Sequence, residues 1–242
     1  MVYSPQMFEV RNIAFSYSTK NVLKDVSFVV SPGETVCIVG DNGAGKTTLM
    51  KVLASIFVPD GGSIRIDGKD ALRNPIKYRR ELGFLQEDPA LYEDMTVKSY
   101  LTYRAKLKGE PDKRIRRRIG EASEVCRLRA LMARQIRNLS FGDKKRVALA
   151  DAMLLRPRVI LLDDVLAGLD CSMREAAGEI ISSVAAFSNV IVTGHEIADL
   201  AKWATRFLVL SSGRIATSIS TAGMECSSVV SRVEAALKGG EA

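Results

Sequence analysis

Nine consecutive residues, Gly40, Asp41, Asn42, Gly43, Ala44, Gly45, Lys46, Thr47 and Thr48, follow the spacing G-x-x-x-x-G-K-[ST]. That spacing suits the binding of a polyphosphate. Glycines let the backbone curl so that successive N–H groups point inward at an anion. A helix starting where the loop ends turns its positive N-terminal pole toward the same charge. A lysine at the place of Lys46 reaches the β- and γ-phosphates, and the Thr47 hydroxyl can ligate Mg²⁺. The flanks supply the context this loop needs. Residues 35–39 are a short apolar run that reads as a buried strand, and residues 48–54 carry apolar side chains at helical spacing. The glycines alone would also fit a strand-to-helix turn without a nucleotide; the Lys-Thr pair argues against that.

A second acidic feature lies far downstream. Residues 159–162 are apolar and end in Asp163, the Walker B pattern, whose carboxylate would hold the Mg²⁺ that bridges phosphates. Ahead of it stand Leu139, Ser140, Phe141, Gly142 and Asp143, with Ser140 placed to cap a helix from about 143 to 155. His195, the single histidine, leaves a strand over 189–193. Tyr17 ends an early strand, where an aromatic ring can stack on an adenine or simply edge the sheet.

These residues need elements to hold them. Residues 7–17 alternate like a strand that turns and returns, and 26–30 form another strand closed by the turn at 31–34. An antiparallel β layer therefore precedes the loop. Short strands follow at 63–68 and 82–85, and helical periodicity runs from 96 to about 133 with a break at 109–111. This is a helical insertion, about 88–155, in an α/β core. A helix over 172–187 and a hairpin of 207–210 with 215–219 complete the pattern, and residues 222–242 end in a short helix. Strands alternating with helices imply a mostly parallel sheet.

Composition sets the outer bounds. With 242 residues and a 47% apolar fraction, the chain makes one large domain or a domain with an insertion. No apolar run approaches the ~18 residues of a membrane span, and no signal-like segment opens the chain, so a soluble, cytoplasmic protein is expected. Cys37, Cys126, Cys171 and Cys226 are widely spaced, which argues for reduced thiols over a zinc site or a disulfide framework. The net charge of +7 concentrates in 104–118, a run suited to nucleic acid or anionic head groups but more often a solvated helix face.

The ordered set of motifs resembles the ATP-binding subunit of ABC transporters, over residues 7 to about 218. The resemblance implies a P-loop NTPase core of α/β class, with an N-terminal antiparallel layer and an inserted helical subdomain. It implies an ABC ATPase domain over 1–220 and a short tail over 221–242. Tyr17 is similar to the adenine-stacking aromatic, residues 40–48 to the Walker A loop, and Asp163 to the Walker B aspartate. Ser140 to Asp143 resemble the signature motif, which contacts the γ-phosphate held by the other subunit of a head-to-tail dimer. Asp164 takes the place of the catalytic glutamate, Asp170 belongs to the D-loop, and His195 matches the switch histidine. Glu87, rather than Gln86, falls at the Q-loop position, where it can approach Mg²⁺. With Pro89, Leu91, Tyr92, Met95, Thr96 and Val97 following, Glu87 is more like the ABC-2 export branch, including gliding-motility-type subunits.

Three departures from the family pattern matter. Asp164 is one methylene shorter than glutamate, and a ~1 Å misplacement of a catalytic group can cost ~10²-fold in rate, so slow hydrolysis is expected. Val165 replaces a proline and loosens the turn. Asp143 replaces glutamine and brings negative charge near a partner's triphosphate unless its side chain turns away. The expected protein binds ATP and Mg²⁺, hydrolyses ATP, and dimerises with an identical or different ATPase subunit. It would lie on the cytoplasmic face of the membrane through a separate integral-membrane permease, with export as the direction and nucleic acid not expected as a partner. The alternatives are a non-transport ABC ATPase in nucleic-acid or protein-assembly work, and a hydrolysis-impaired regulatory subunit.

Overall fold

The computed structural model describes residues 7–239, so the first six residues of the expected domain and the last three of the expected tail lie outside the described residues. Phe8, Val10, Ile13 and Phe15 point inward from β1 (Phe8–Tyr17), which pairs antiparallel with β2 (Lys20–Val30). β1 is one continuous strand and does not turn back. Its pairing slips between Val10 and Ile13, with Asn12 at φ 51°, and the extra residue shifts the inward alternation by one.

Next come β3 (Thr35–Val39), α1 (Lys46–Leu53), β4 (Gly61–Ile66), β5 (Lys69–Asp70), α2 (Pro75–Arg80) and β6 (Leu82–Leu85). The insertion supplies α3 (Val97–Leu107), α4 (Asp112–Val125) and α5 (Phe141–Met153). The chain then forms β7 (Val159–Leu162), α6 (Cys171–Ala185), β8 (Asn189–Thr193), α7 (Ile197–Leu200), β9 (Arg206–Ser211), β10 (Arg214–Ser220) and α8 (Cys226–Gly239). One sheet has the order β2-β1-β4-β5 and is antiparallel; the other has the order β10-β9-β3-β8-β7-β6 and is parallel except for β10. β3, β6, β7 and β8 all deliver their carboxyl ends to one edge, where ligands of open α/β sheets bind.

α1 is held between the two sheets. Its Leu49, Met50, Val52 and Leu53 are fully buried in one cluster with Phe8 and Ile13 of the first sheet and Val36 and Ile38 of the second. Burying each such side chain contributes roughly 1.5–3 kcal/mol, which anchors the loop in front of the helix. The inserted helices join a second cluster through Leu101, Ile119 and Val147. There Asp151 of α5 pairs with Arg104 of α3 and with Lys108, which caps the end of that helix, each at 2.8 Å. α8 packs through buried Val229 and Val233 into that same cluster.

The basic run at 104–118 is largely engaged within the chain. Arg104 and Lys108 pair with Asp151, Lys106 with Asp112, Arg117 with Glu121, and Arg118 with Glu110 and Glu121. Lys113, Arg114 and Arg116 face solvent. Among the described residues no helix is long and apolar enough to cross a membrane.

Candidate nucleotide site

Between β3 and α1 the loop turns through Gly43 (φ 84°) and Gly45 (φ 106°), conformations that glycine adopts without steric cost. Gly40 is required for a different reason: a Cβ there would lie 2.2 Å from the Leu210 carbonyl oxygen of β9. The Lys46 ammonium folds back on its own loop, donating to the Gly40 oxygen at 2.6 Å and the Asp41 oxygen at 3.1 Å. Burial holds its pKa below the ordinary lysine value, against the opposing pull of Asp164, Asp41 and Asp163.

A cleft of about 420 Å³ opens over this loop. Tyr17, Asn42, Gly43, Gly45, Lys46, Thr47, Thr48, Glu87, Asp163, Asp164 and His195 line it, so one surface gathers residues from five stretches of the sequence. Gly40, Asp41 and Ala44 shape the loop behind that surface; the Ala44 N–H donates to the Asp41 oxygen at 3.1 Å. Tyr17 is about half exposed and set edge-on to the stacked rings of Phe15 and Phe57, which hold it at the rim.

Three side chains that the motif reading missed complete the site. Thr193, at the end of β8, donates from Oγ1 to Asp163 Oδ1 at 2.6 Å and accepts the Asp164 N–H at 3.0 Å. It stands two residues before His195, a signal the sequence did contain. Lys20 lines the cleft beside Tyr17. Glu196, adjacent to His195, helps to raise the pKa of Asp164; burial is the larger cause. Asp164 itself has a left-handed backbone (φ 46°). Its Oδ1 is buried, with no hydrogen-bond partner among the described residues.

The donors fit Mg²⁺. Thr47 Oγ1 lies 3.4 Å from Asp163 Oδ1, and burial raises the Asp163 pKa against the hydrogen bonds from Thr193 and Thr47. Hydroxyl and carboxylate oxygens suit a hard ion. Among the described residues no three acidic, histidine or cysteine side chains are arranged to hold a metal unaided. A metal here would complete its shell with phosphate oxygens and water.

The four residues that resemble the signature motif sit elsewhere. Ser140 caps α5, its Oγ accepting the Asp143 N–H at 3.2 Å. Phe141 is half exposed, and a Cβ on Gly142 would collide with Met173 of α6. Asp143 turns its carboxylate along its own helix to pair with Arg146. None of these four lines the cleft. Asp170 caps α6, accepting the Met173 N–H at 2.9 Å.

The family model described as "ABC transporter" matches residues 23–167 of this chain. The chain belongs to the ABC transporter family. It is an ABC ATPase with a P-loop NTPase fold, the ATP-binding subunit type. An uncharacterized ABC transporter ATP-binding protein, YxlF, of Bacillus subtilis (strain 168) is 30% identical over 209 residues, covering 86% of this chain and 69% of that protein. The sulfate/thiosulfate import ATP-binding protein CysA of Methylococcus capsulatus is 32% identical over 214 residues, covering 86% of this chain and 61% of that protein. The solved structure of cbiO1 from Clostridium perfringens, described as part of the ABC transporter complex cbiONQ, superposes with a TM-score of 0.82. It is 26% identical and covers 90% of this chain and 89% of that chain.

Proposed function

We propose that this ABC ATPase hydrolyses ATP to drive a separate membrane permease, and that two subunits, identical or different, close head to tail around two ATP molecules. One observation carries the reading: the chain's two anion-recognition features are apart. Lys46, Thr47, Asp163, Asp164 and His195 share one cleft, whereas Ser140 and Gly142 stand outside it at the N-terminus of α5. A helix N-terminus whose exposed capping serine can still donate its O–H suits the phosphates of a second chain.

In this mechanism the loop N–H groups and Lys46 bind the phosphates. Thr47 and Asp163 hold Mg²⁺, with Glu87 close by, and the ion when bound supplies neutralisation of the phosphate charge. Tyr17 stacks on the adenine. Asp164 takes the proton of the attacking water as His195 orients it. Phe141 and Asp143 flank the contact made in trans, and Asp170 lines the subunit junction. The domain reading 1–220 stands with this proposal, as does a position on the cytoplasmic face of the membrane. The permease would dock on the face made by the Glu87 loop and the inserted helices. The intramolecular pairing of the basic run supports a protein partner over nucleic acid.

The Glu87 loop and the residues after it support export. The likeness to a subunit named for sulfate/thiosulfate import supports the opposite direction as a second reading. The membrane protein that co-purifies distinguishes them. Steady-state ATPase of the parent and of Asp164→Glu tests the motor itself. The expected result is slow parental turnover raised up to ~10²-fold by the longer acid. An undetectable parental rate restored by Asp164→Glu would leave a regulatory subunit instead.

A further inference from the structure

Lys145 lies on α5, five residues after Ser140, and only 4% of it is exposed. Its ammonium forms none of the ion pairs among the described residues. It donates instead to three backbone carbonyls of the turn after β7: Ala167 at 2.6 Å, and Asp164 and Val165 each at 3.2 Å. A lysine has three N–H donors, and here all three have acceptors. The Phe141 ring lies 5.1 Å below the same nitrogen. Burial lowers its pKa, while Asp164, Glu87, Glu196 and Asp88 favour the charged form.

The turn it grips requires holding. Asp164 has φ 46°, a left-handed conformation that aspartate adopts more readily than most residues with a Cβ but still less readily than glycine. Val165 follows it, where a proline ring would have fixed φ. The Asp164 N–H is held by Thr193 of β8 and its carbonyl by Lys145 of α5. At the other end of the D-loop, Arg174 of α6 donates to the Leu169 carbonyl at 2.9 Å and pairs with Glu196 at 3.4 Å. The turn that carries Asp164 is therefore attached directly to the helix that carries Ser140 and Gly142.

We propose that Lys145 is a positioning residue that fixes Asp164 through its carbonyl and makes the turn move with the signature helix. Closure of Ser140 and Gly142 on a partner's nucleotide is then transmitted to this chain's own acid. The inference rests on the reading of Asp164 as the base and of α5 as the contact made in trans.

The test uses the full chain with Lys145→Met, alone and combined with Asp164→Glu, and reads kcat, KM, the affinity for a non-hydrolysable ATP analogue and thermal melting. The expected result is a fall of at least tenfold in kcat, with KM and analogue affinity within twofold of the parent. The loss should differ at least threefold between the two backgrounds, because the carbonyl sets where a shorter or a longer acid ends. An unchanged kcat, or the same fold loss in both backgrounds, makes Lys145 a plain staple between α5 and the core and overturns the proposal. If Lys145→Met does not fold, Lys145→Gln carries the same comparison, since it keeps two donors without the charge. An Asp164→Asn variant that turns over at the parental rate would instead refute the assignment of the base.

Discussion

Lys46 and Lys145 each bury an ammonium against backbone carbonyls, and the likeness ends there. The two acceptors of Lys46 belong to its own loop and the residue lines the cleft, where phosphate oxygens would take their place. The three acceptors of Lys145 belong to a different element and the residue is sealed from solvent. In the proposed mechanism one arrangement is a placeholder for phosphate and the other a strut. A charge solvated by peptide dipoles serves binding when it can exchange partners and mechanical coupling when it cannot.

Breaking the strut's load gives the largest effect. Asp164→Asn should lower turnover by roughly 10²–10⁴-fold, the usual contribution of a positioned base, with the affinity for an ATP analogue retained. A matching loss of affinity would show that the two regions are not separable. Next, Lys46→Met should weaken ATP binding about ten- to a hundredfold, from a charge-assisted bond worth about 1.5–3 kcal/mol, as read by titration with a fluorescent nucleotide. The melting temperature of that variant should then respond only weakly to added nucleotide.

Thr193→Val strikes a side chain that bonds both the Asp163 carboxylate in the cleft and the backbone of the Asp164 turn. It removes the bond to Asp163 and orphans the Asp164 N–H, for an expected cost of about 1–3 kcal/mol in urea unfolding. The smallest effect is in the alkaline range. The lowered folded-state pKa of Lys145 means that the unfolded chain binds more protons between that value and the ordinary one near 10.4. Its penalty is full below the folded pKa and is relieved as pH rises through it. The urea midpoint of the parent should therefore rise with alkaline pH relative to Lys145→Gln, opposite to a lysine stabilised by an ion pair.

What could be read from the sequence follows the range of the forces involved. The phosphate loop and the strand ending in Asp163 were legible because polyphosphate chemistry dictates residue types at contiguous spacing. The mostly parallel sheet followed from the alternation of strands and helices, and the antiparallel layer from the early strands and their turn. β1 misled because the slip at Asn12 shifts the inward period by one residue, which in sequence resembles a turn. α2 and α7, of six and four residues, are too short to show a helical period. Nothing local marks Lys145, whose partners lie about twenty residues on, beyond β7. The side-chain direction of Asp143 is likewise set by a partner, Arg146, that its residue type alone does not single out.

One consequence of the turn at Asp164 concerns descent. Its N–H is held by Thr193 and its C=O by Lys145, and neither bond involves the Asp164 side chain. The position is thus a socket whose shape survives a change of occupant. A single codon can swap aspartate for asparagine, or, against the left-handed backbone, for glutamate, without breaking either bond. A lineage could slow, silence or quicken the subunit and later reverse the change, because the scaffold that would have to co-evolve is already in place.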